Sequence, residues 1–346
     1  MRISNFDFTK KSSVFIIAEL SANHNQDFDL AAQSIRAIKE SGADAVKLQT
    51  YTPDTITIKS NKSDFIIKGS IWNGESYYSL YEKAFTPWEW HEDLMNLAKE
   101  LGLIAFSSPF DSTAVDFLEK LNVPAYKIAS FEITDIPLIK YVASKQKPVI
   151  LSTGIATLED IELAISACKE VGNHQIALLK CTSSYPAPIE ESNLNMISEY
   201  IRRFNLITGI SDHTLGTIAP VVAVAQGAKI IEKHFILDKN LGGPDASFSL
   251  DKDEFKEMVV SVRKAEKSLG TVNFELGEKQ RKGKVFSRSL YITENVKSGD
   301  TVNENNVRSI RPGFGLHPKY LPEIMGKKFK SSYAKGTRMS FDLIKK

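Results

Sequence analysis

The chain has 346 residues, 42% of them apolar and 25% charged, with a formal net charge of only +2. This is the composition of an ordinary globular protein: it excludes a disordered or fibrous chain, and no eighteen-residue apolar run suggests a membrane span. Two cysteines, Cys168 and Cys181, give neither a disulfide framework nor metal-type spacing, and the first residues (MRISNFDFTKKSSVFIIAEL) lack the apolar core of a secretory leader, so a cytoplasmic protein is expected.

From Val14 onward, apolar runs alternate with amphipathic helical patterns. VFIIAEL (14–20) reads as a first strand and Leu30–Ser41 as a helix ended by Gly42. AVKLQT (45–50) is a second strand, and a long insertion follows to about Phe85. Pro87 opens a helix that stops at Gly102. LIAFSS (103–108), AYKIAS (125–130), PVILST (148–153), IALLKCTS (176–183), LITGIS (206–211) and IIEKHFIL (230–237) continue the strand series. Helical patterns near 111–120, 135–144, 157–171, 194–203, 217–226 and 251–268 lie between or after them. Eight strands, each followed by a helical stretch, predict an α/β fold of the (β/α)8 TIM-barrel class over residues 1–270. A doubly wound open sheet would want a glycine-rich phosphate loop after its first strand, and AELSANHNQD contains none.

After Gly270 the helical pattern stops. Residues 271–286 read as a charged, apolar-poor linker, and 287–346 as a small β-rich domain of short strands and turns. Residues 271–346 hold 16 Lys and Arg against 7 Asp and Glu, so the preceding segment is net acidic. The basic segment lacks the aromatic interleaving of a single-strand nucleic-acid binder. Docking onto an acidic surface, such as a second copy of the chain, and a plain solvated basic face both remain open.

Barrel enzymes build their sites at the C-terminal ends of the strands. Those ends carry Glu19, Lys47 with Gln49, Ser107 with Ser108, Lys127 with Ser130, Ser152 with Thr153, Thr182 with Ser183, Asp212 with His213, and Glu232 with His234. Alternation along a strand puts Lys47 and Gln49 on one face, and turns Glu232 and His234 together, away from Lys233. A lysine inside an apolar strand is costly unless it meets an anion. Two of them ringed by hydroxyls describe a phosphate or carboxylate pocket. His213 and His234, with carboxylates beside them, form a candidate divalent-metal site; hydrogen-bonded structural histidines are the alternative reading. The loop Gly242–Asp245 follows at once and is suited to close over the site.

Taken in order, IAELSANHN, AVKLQTY, FSSPFD, AYKIASFEI, STG, KCTSSYP, GISDHT, IEKHF and GGPD resemble the sialic-acid synthase family over nearly the whole chain. The tail, with its RPG-x-G loop, resembles that family's antifreeze-like (SAF) domain. The resemblance implies condensation of phosphoenolpyruvate with an amino-sugar aldehyde. It implies that Lys47, Ser108, Lys127, Ser130, Ser152, Ser183 and Ser211 hold phosphoenolpyruvate, and that His213 and His234 bind Mn2+, Mg2+ or Co2+. Gln49, Tyr185 and Asp245 would face the sugar, Glu19 or Glu232 would handle the proton and the water, and Arg311 would reach over from the partner of a domain-swapped homodimer. Ser183 stands where relatives acting on N-acetylmannosamine usually carry Asn, which turns the expected sugar toward a 2,4-diacetamido-trideoxy-hexose. N-acetylmannosamine or a legionaminate-type sugar, with the same mechanism, is the alternative. A carbohydrate-binding protein without turnover and a metal-dependent aldolase acting on free pyruvate are more distant, and the density of strand-end lysines and hydroxyls argues against both. No nucleic-acid or membrane partner is expected.

Overall fold

The alternation of apolar runs with capped helices becomes a closed parallel barrel in the computed structural model, which describes residues 1–10 and 13–345. Its strands are β1 (Phe15–Glu19), β2 (Ala45–Thr50), β3 (Ile104–Pro109), β4 (Tyr126–Ile128), β5 (Val149–Ser152), β6 (Ile176–Cys181), β7 (Ile207–Asp212) and β8 (Ile230–His234). Neighbours in sequence pair in parallel, and β8 closes the ring by pairing with both β7 and β1. Nearly every strand residue is buried, as expected where helices cover one face and the barrel interior the other.

The outer helices are α1 (Phe28–Ser41), α2 (His91–Glu100), α3 (Ser112–Lys120), α4 (Ile136–Ser144), α5 (Leu158–Glu170), α6 (Asn195–Phe204), α7 (Ile218–Ala225) and α8 (Lys252–Leu269). Their ends have local causes. Asp27 accepts from the Leu30 N–H at the start of α1, and Gly42 stops it at φ 87°. Thr157 with Asp160, and Asp251 with Glu254, form capping boxes on α5 and α8. The insertion between β2 and α2 carries two short helices, Pro53–Ile56 and Tyr77–Ala84.

Along each strand the inward positions change character from bottom to top. At the N-terminal end Phe15, Ile17, Ala45, Phe106, Ala125, Ile150, Leu179 and Ile230 form one apolar cluster, joined by Ile3, Phe6 and Phe8 of an N-terminal hairpin that pairs Arg2–Ile3 with Phe6–Asp7. Two residues further on, the same faces become polar: Glu19 follows Ile17, Lys47 follows Ala45, Lys127 follows Ala125 and Glu232 follows Ile230. The apolar layer therefore seals the barrel below the polar one. Phe6 is 3% exposed, with its ring centroid 4.7 Å from that of Phe15. Phe6→Ala is expected to cost about 3–5 kcal/mol of stability, read as a lowered urea midpoint. An unchanged midpoint would mean that the hairpin is not part of the core.

The chain divides into two compact units, 1–270 and 271–346. In the second, β9 (Ser289–Ile292) pairs antiparallel with β10 (Val307–Ile310) over a core that includes Leu290, Ile292, Val302, Val307, Ile324 and Phe329. The segment expected as a linker carries a short exposed helix, Glu278–Gly283, and a turn at Lys284–Phe286. Among the described residues no helix is long and apolar enough to cross a membrane.

Candidate active site

The polar layer is one connected network. Lys47 Nζ lies 2.9 Å from Glu19 Oε2 and 3.0 Å from Glu232 Oε1, and Lys127 Nζ lies 3.4 Å from the same Glu232 oxygen. Ser211 donates to Glu232 (2.9 Å), and the Gln49 amide donates to Glu19 (2.8 Å). All four charged groups are almost wholly out of water. Burial by itself pushes Lys47 toward its neutral form, but the Glu19 and Glu232 carboxylates outweigh it and raise its pKa. Lys127 goes the other way: burial, with the Lys47 charge adding to it, lowers its pKa against the pull of Glu232. At Glu19 and Glu232 burial acts to raise the pKa, and the lysine charges overcome it, holding both carboxyls below the usual range. Lys47 is thus neutralised by two carboxylates, whereas Lys127 has only the longer contact to one and a bond to the Ile128 carbonyl (3.2 Å). It is the ammonium with capacity left for an incoming anion.

These residues form the floor of a cavity of about 560 Å³ at the C-terminal mouth of the barrel. Of the residues singled out from the sequence, Glu19, Lys47, Gln49, Lys127, Ser130, Ser152, Ser183, Tyr185, Ser211, His213, Glu232, His234 and Asp245 all line it. Ser108 does not; its buried hydroxyl, at the top of β3 and in register with Gln49, has no hydrogen-bond partner among the described residues. Arg311 lies in the second unit, exposed, immediately after β10. Gly154 keeps the hydroxyl cluster tight: its N–H donates to Ser130 Oγ (3.2 Å), and a Cβ there would fall 2.0 Å from Ser183 Oγ. Several polar atoms facing this region have no partner among the described residues, namely Glu132 Oε2, Ser152 Oγ, Glu232 Oε2 and His234 Nδ1. Buried polar groups in folded proteins are normally satisfied. Their grouping at one cavity leaves these atoms available to a polar ligand or to water.

The two imidazoles stand 5.3 Å apart between ring centroids. His213 Nδ1 faces the Thr182 carbonyl at 3.0 Å, so that nitrogen carries a proton and Nε2 keeps its lone pair, the arrangement usual for a metal-ligating histidine. His234 Nε2 lies 3.3 Å from Glu19 Oε2, and its unpartnered Nδ1 is 4.0 Å from Asp245 Oδ2. Burial pushes His234 toward neutrality. At His213 burial acts the same way but is outweighed by the Cys181 sulfur and the Thr182 carbonyl, so a bound cation would compete with a proton there. Among the described residues no group of three or more His, Cys, Asp or Glu converges on one ion position. Two imidazole nitrogens alone do not complete the coordination of a divalent ion, so water or substrate oxygens would have to supply the rest.

Not every strand-end polar residue belongs to the cavity. Asp212 and Lys233 turn outward and pair with each other at 2.5 Å, with Lys233 also donating to the Thr214 carbonyl. Thr50 bonds Ser107 (2.6 Å) and His91 (2.9 Å), and Thr153 donates to the Leu179 carbonyl (3.1 Å). These tie strands to their surroundings. Asp212→Asn leaves the fully buried Lys233 charge uncompensated, and a loss of about 3–5 kcal/mol is expected. Thermal melting of D212N beside a double variant, Asp212→Leu with Lys233→Met, checks this: the double variant should recover most of the loss.

The cavity also holds ionisable and aromatic groups that strand-end spacing does not reveal. Glu132, in the short turn Glu132–Thr134 after β4, lines the cavity and has an unpartnered Oε2. Burial pushes its carboxyl up to about 7, against the opposing charge of Lys127. It can therefore give or take a proton near neutral pH. The insertion between β2 and α2 also contributes a wall of the cavity, and Trp72 Nε1 donates to the Pro244 carbonyl (3.1 Å) across its mouth.

The model of the NeuB family matches residues 34–274 of the chain. A pseudaminic acid synthase of Campylobacter jejuni is 51% identical over 328 residues, which cover 95% of this chain and 95% of that protein. A pseudaminic acid synthase of Helicobacter pylori is 48% identical over 332 residues, covering 96% and 98%. Among solved structures, an N-acetylneuraminic acid synthetase from Leptospira borgpetersenii, determined with citrate, superposes with a TM-score of 0.70 at 30% identity, over 78% of this chain and 90% of that one.

Proposed function

The chain belongs to the NeuB family, and from that membership we propose that it catalyses the pseudaminic acid synthase reaction. Phosphoenolpyruvate, 2,4-diacetamido-2,4,6-trideoxy-L-altrose and water give pseudaminic acid and phosphate. The observation that carries this reading is the cavity floor: two buried ammonium groups and several unpartnered polar atoms above a sealed apolar layer. About half-identity to two pseudaminic acid synthases over nearly the full chain supports the choice of sugar.

In this reading Lys127 and Lys47 hold the phosphate and carboxylate, the hydroxyls of Ser130, Ser152 and Ser183 donate to their oxygens, and Ser211, which donates to Glu232, borders the same anion from the floor. Gln49, Tyr185 and Asp245 orient the sugar so that its aldehyde carbon faces carbon 3 of phosphoenolpyruvate. That carbon attacks, water adds at carbon 2, and phosphate leaves with cleavage of the C–O bond. Glu19, Glu232 and Glu132 are the groups placed to take the proton from water and return one to the new hydroxyl. Phosphoenolpyruvate brings roughly three negative charges near neutral pH, while the two lysines already face Glu19 and Glu232. This balance favours further positive charge. His213 and His234 would hold a divalent ion, Mn2+, Mg2+ or Co2+, which when bound supplies Lewis-acid polarisation of the aldehyde oxygen.

Arg311 is the second source of positive charge, delivered in this proposal from the other copy of a domain-swapped homodimer. Its exposure on the turn after β10 is consistent with a role outside its own unit. Arg311→Ala is expected to lower kcat/KM for the sugar by about 10–100-fold without changing the melting temperature, and unaltered kinetics would remove it from the site. The substrate phosphoenolpyruvate is cytosolic, which fits a cytoplasmic setting. The reaction itself is tested with phosphoenolpyruvate labelled in its bridging oxygen. Mass spectrometry should find the label in phosphate and the sugar converted to a nine-carbon 2-keto acid; label retained in the organic product would contradict C–O cleavage.

A further inference from the structure

We propose that the insertion between β2 and α2 reads the far end of the sugar. Its apolar face, built from Ile56, Ile67, Trp72, Tyr77, Leu80 and Tyr81, selects a hexose that ends in a methyl group over one that ends in a hydroxymethyl. The inference rests on the reaction proposed above and names the feature of its substrate that the pocket recognises.

Two features of the cavity lead to it. Its two lysines, the Glu19 and Glu232 carboxylates and the two imidazoles lie on the barrel floor, which turns the aldehyde end of the sugar down and carbons 4 to 6 toward the mouth. At the mouth the lining changes character, and the residues from the insertion that border the cavity are mostly apolar or aromatic. Tyr81 packs edge-on against Tyr51 (5.5 Å), which packs against Phe110 (5.1 Å), and Tyr77 stacks on Tyr81 (6.2 Å). Ile67 and Leu80, both largely buried, line the cavity beside them. Only the exposed Lys68 and Ser70 add polar side chains beyond the tyrosine hydroxyls.

The wall is also held in place over the floor. Trp72 donates its indole N–H to the Pro244 carbonyl (3.1 Å) and lies 5.9 Å from the ring of Tyr185, so the insertion is latched to the loop that carries Asp245. A hydroxymethyl group packed on Ile56, Ile67 or Leu80 would give up bonds to water without replacement, whereas methyl groups gain from leaving water. An apolar pocket rejects an added hydroxyl only moderately, by roughly 10–100-fold, and that is the discrimination expected here.

The test compares the trideoxy sugar with its 6-hydroxy counterpart on the full-length enzyme with Mn2+. The unaltered enzyme should favour the trideoxy sugar by roughly 10–100-fold in kcat/KM. Ile56→Asn, a half-buried position on the insertion, should narrow that gap several-fold while the KM for phosphoenolpyruvate changes less than about twofold. Trp72→Phe, which keeps a ring but loses the bond to Pro244, should raise the sugar KM and leave the preference in place. Equal use of both sugars by the unaltered enzyme would overturn the inference and leave the proposed reaction standing, as would a preference that I56N does not change. Release of phosphate with neither sugar would overturn the reaction and this inference together.

Discussion

Lys127→Met is expected to lower kcat/KM for phosphoenolpyruvate by about a thousandfold, on the order of 4 kcal/mol of transition-state stabilisation. Lys127 is 1% exposed and is the floor ammonium least engaged by protein carboxylates, with one contact at 3.4 Å against two near 3 Å for Lys47. Methionine preserves the stem and its packing. Glu232 keeps Lys47 and Ser211 as partners, so the variant should fold, and its melting temperature should fall by only a few degrees. Steady-state kinetics at saturating sugar check this; a loss below tenfold would mean that the anion is held elsewhere.

His213→Ala is the second large effect. Turnover is expected to fall by about a thousandfold or more, because the substitution removes one of the two imidazoles that line the floor among the described residues. The ring sits among Tyr185, Phe248 and His234 above the sealed layer, so the barrel core should be undisturbed. Calorimetric titration with Mn2+ gives a readout independent of activity, and the affinity should drop by at least about 10–100-fold. Near-normal activity of the variant with added Mn2+ would show that the histidines serve as hydrogen-bonding groups only.

The barrel was legible because strands buried on both faces read as nearly continuous apolar runs, and helices between them announce themselves by caps such as Asp27, Thr157 and Asp251. The floor was legible because Lys47 and Lys127 interrupt such runs. Face assignment was the harder matter. Asp212 and Lys233 carry charge at strand ends as plainly as His213 and Glu232 do, yet alternation turns them outward into a structural pair. Ser107 and Thr153 have the same outward fate. Glu132 was not singled out because it lies beyond the end of β4, in a turn where the two-residue period no longer applies, and only its place beside Ser130 hints at the cavity. The insertion hid its role for a similar reason. The cluster of Trp72, Tyr77 and Tyr81 becomes a wall only when the chain folds back across the mouth.

Binding of phosphoenolpyruvate at this floor and its condensation with a diacetamido-trideoxy sugar can be followed in one assay. The most direct measurement is phosphate release from phosphoenolpyruvate in the presence of Mn2+, with 2,4-diacetamido-2,4,6-trideoxy-altrose in one reaction and N-acetylmannosamine in another. Release with the altrose sugar, and at least about tenfold less with N-acetylmannosamine, is the expected result. Release with neither sugar would contradict the account, and preferential release with N-acetylmannosamine would contradict its assignment of the sugar.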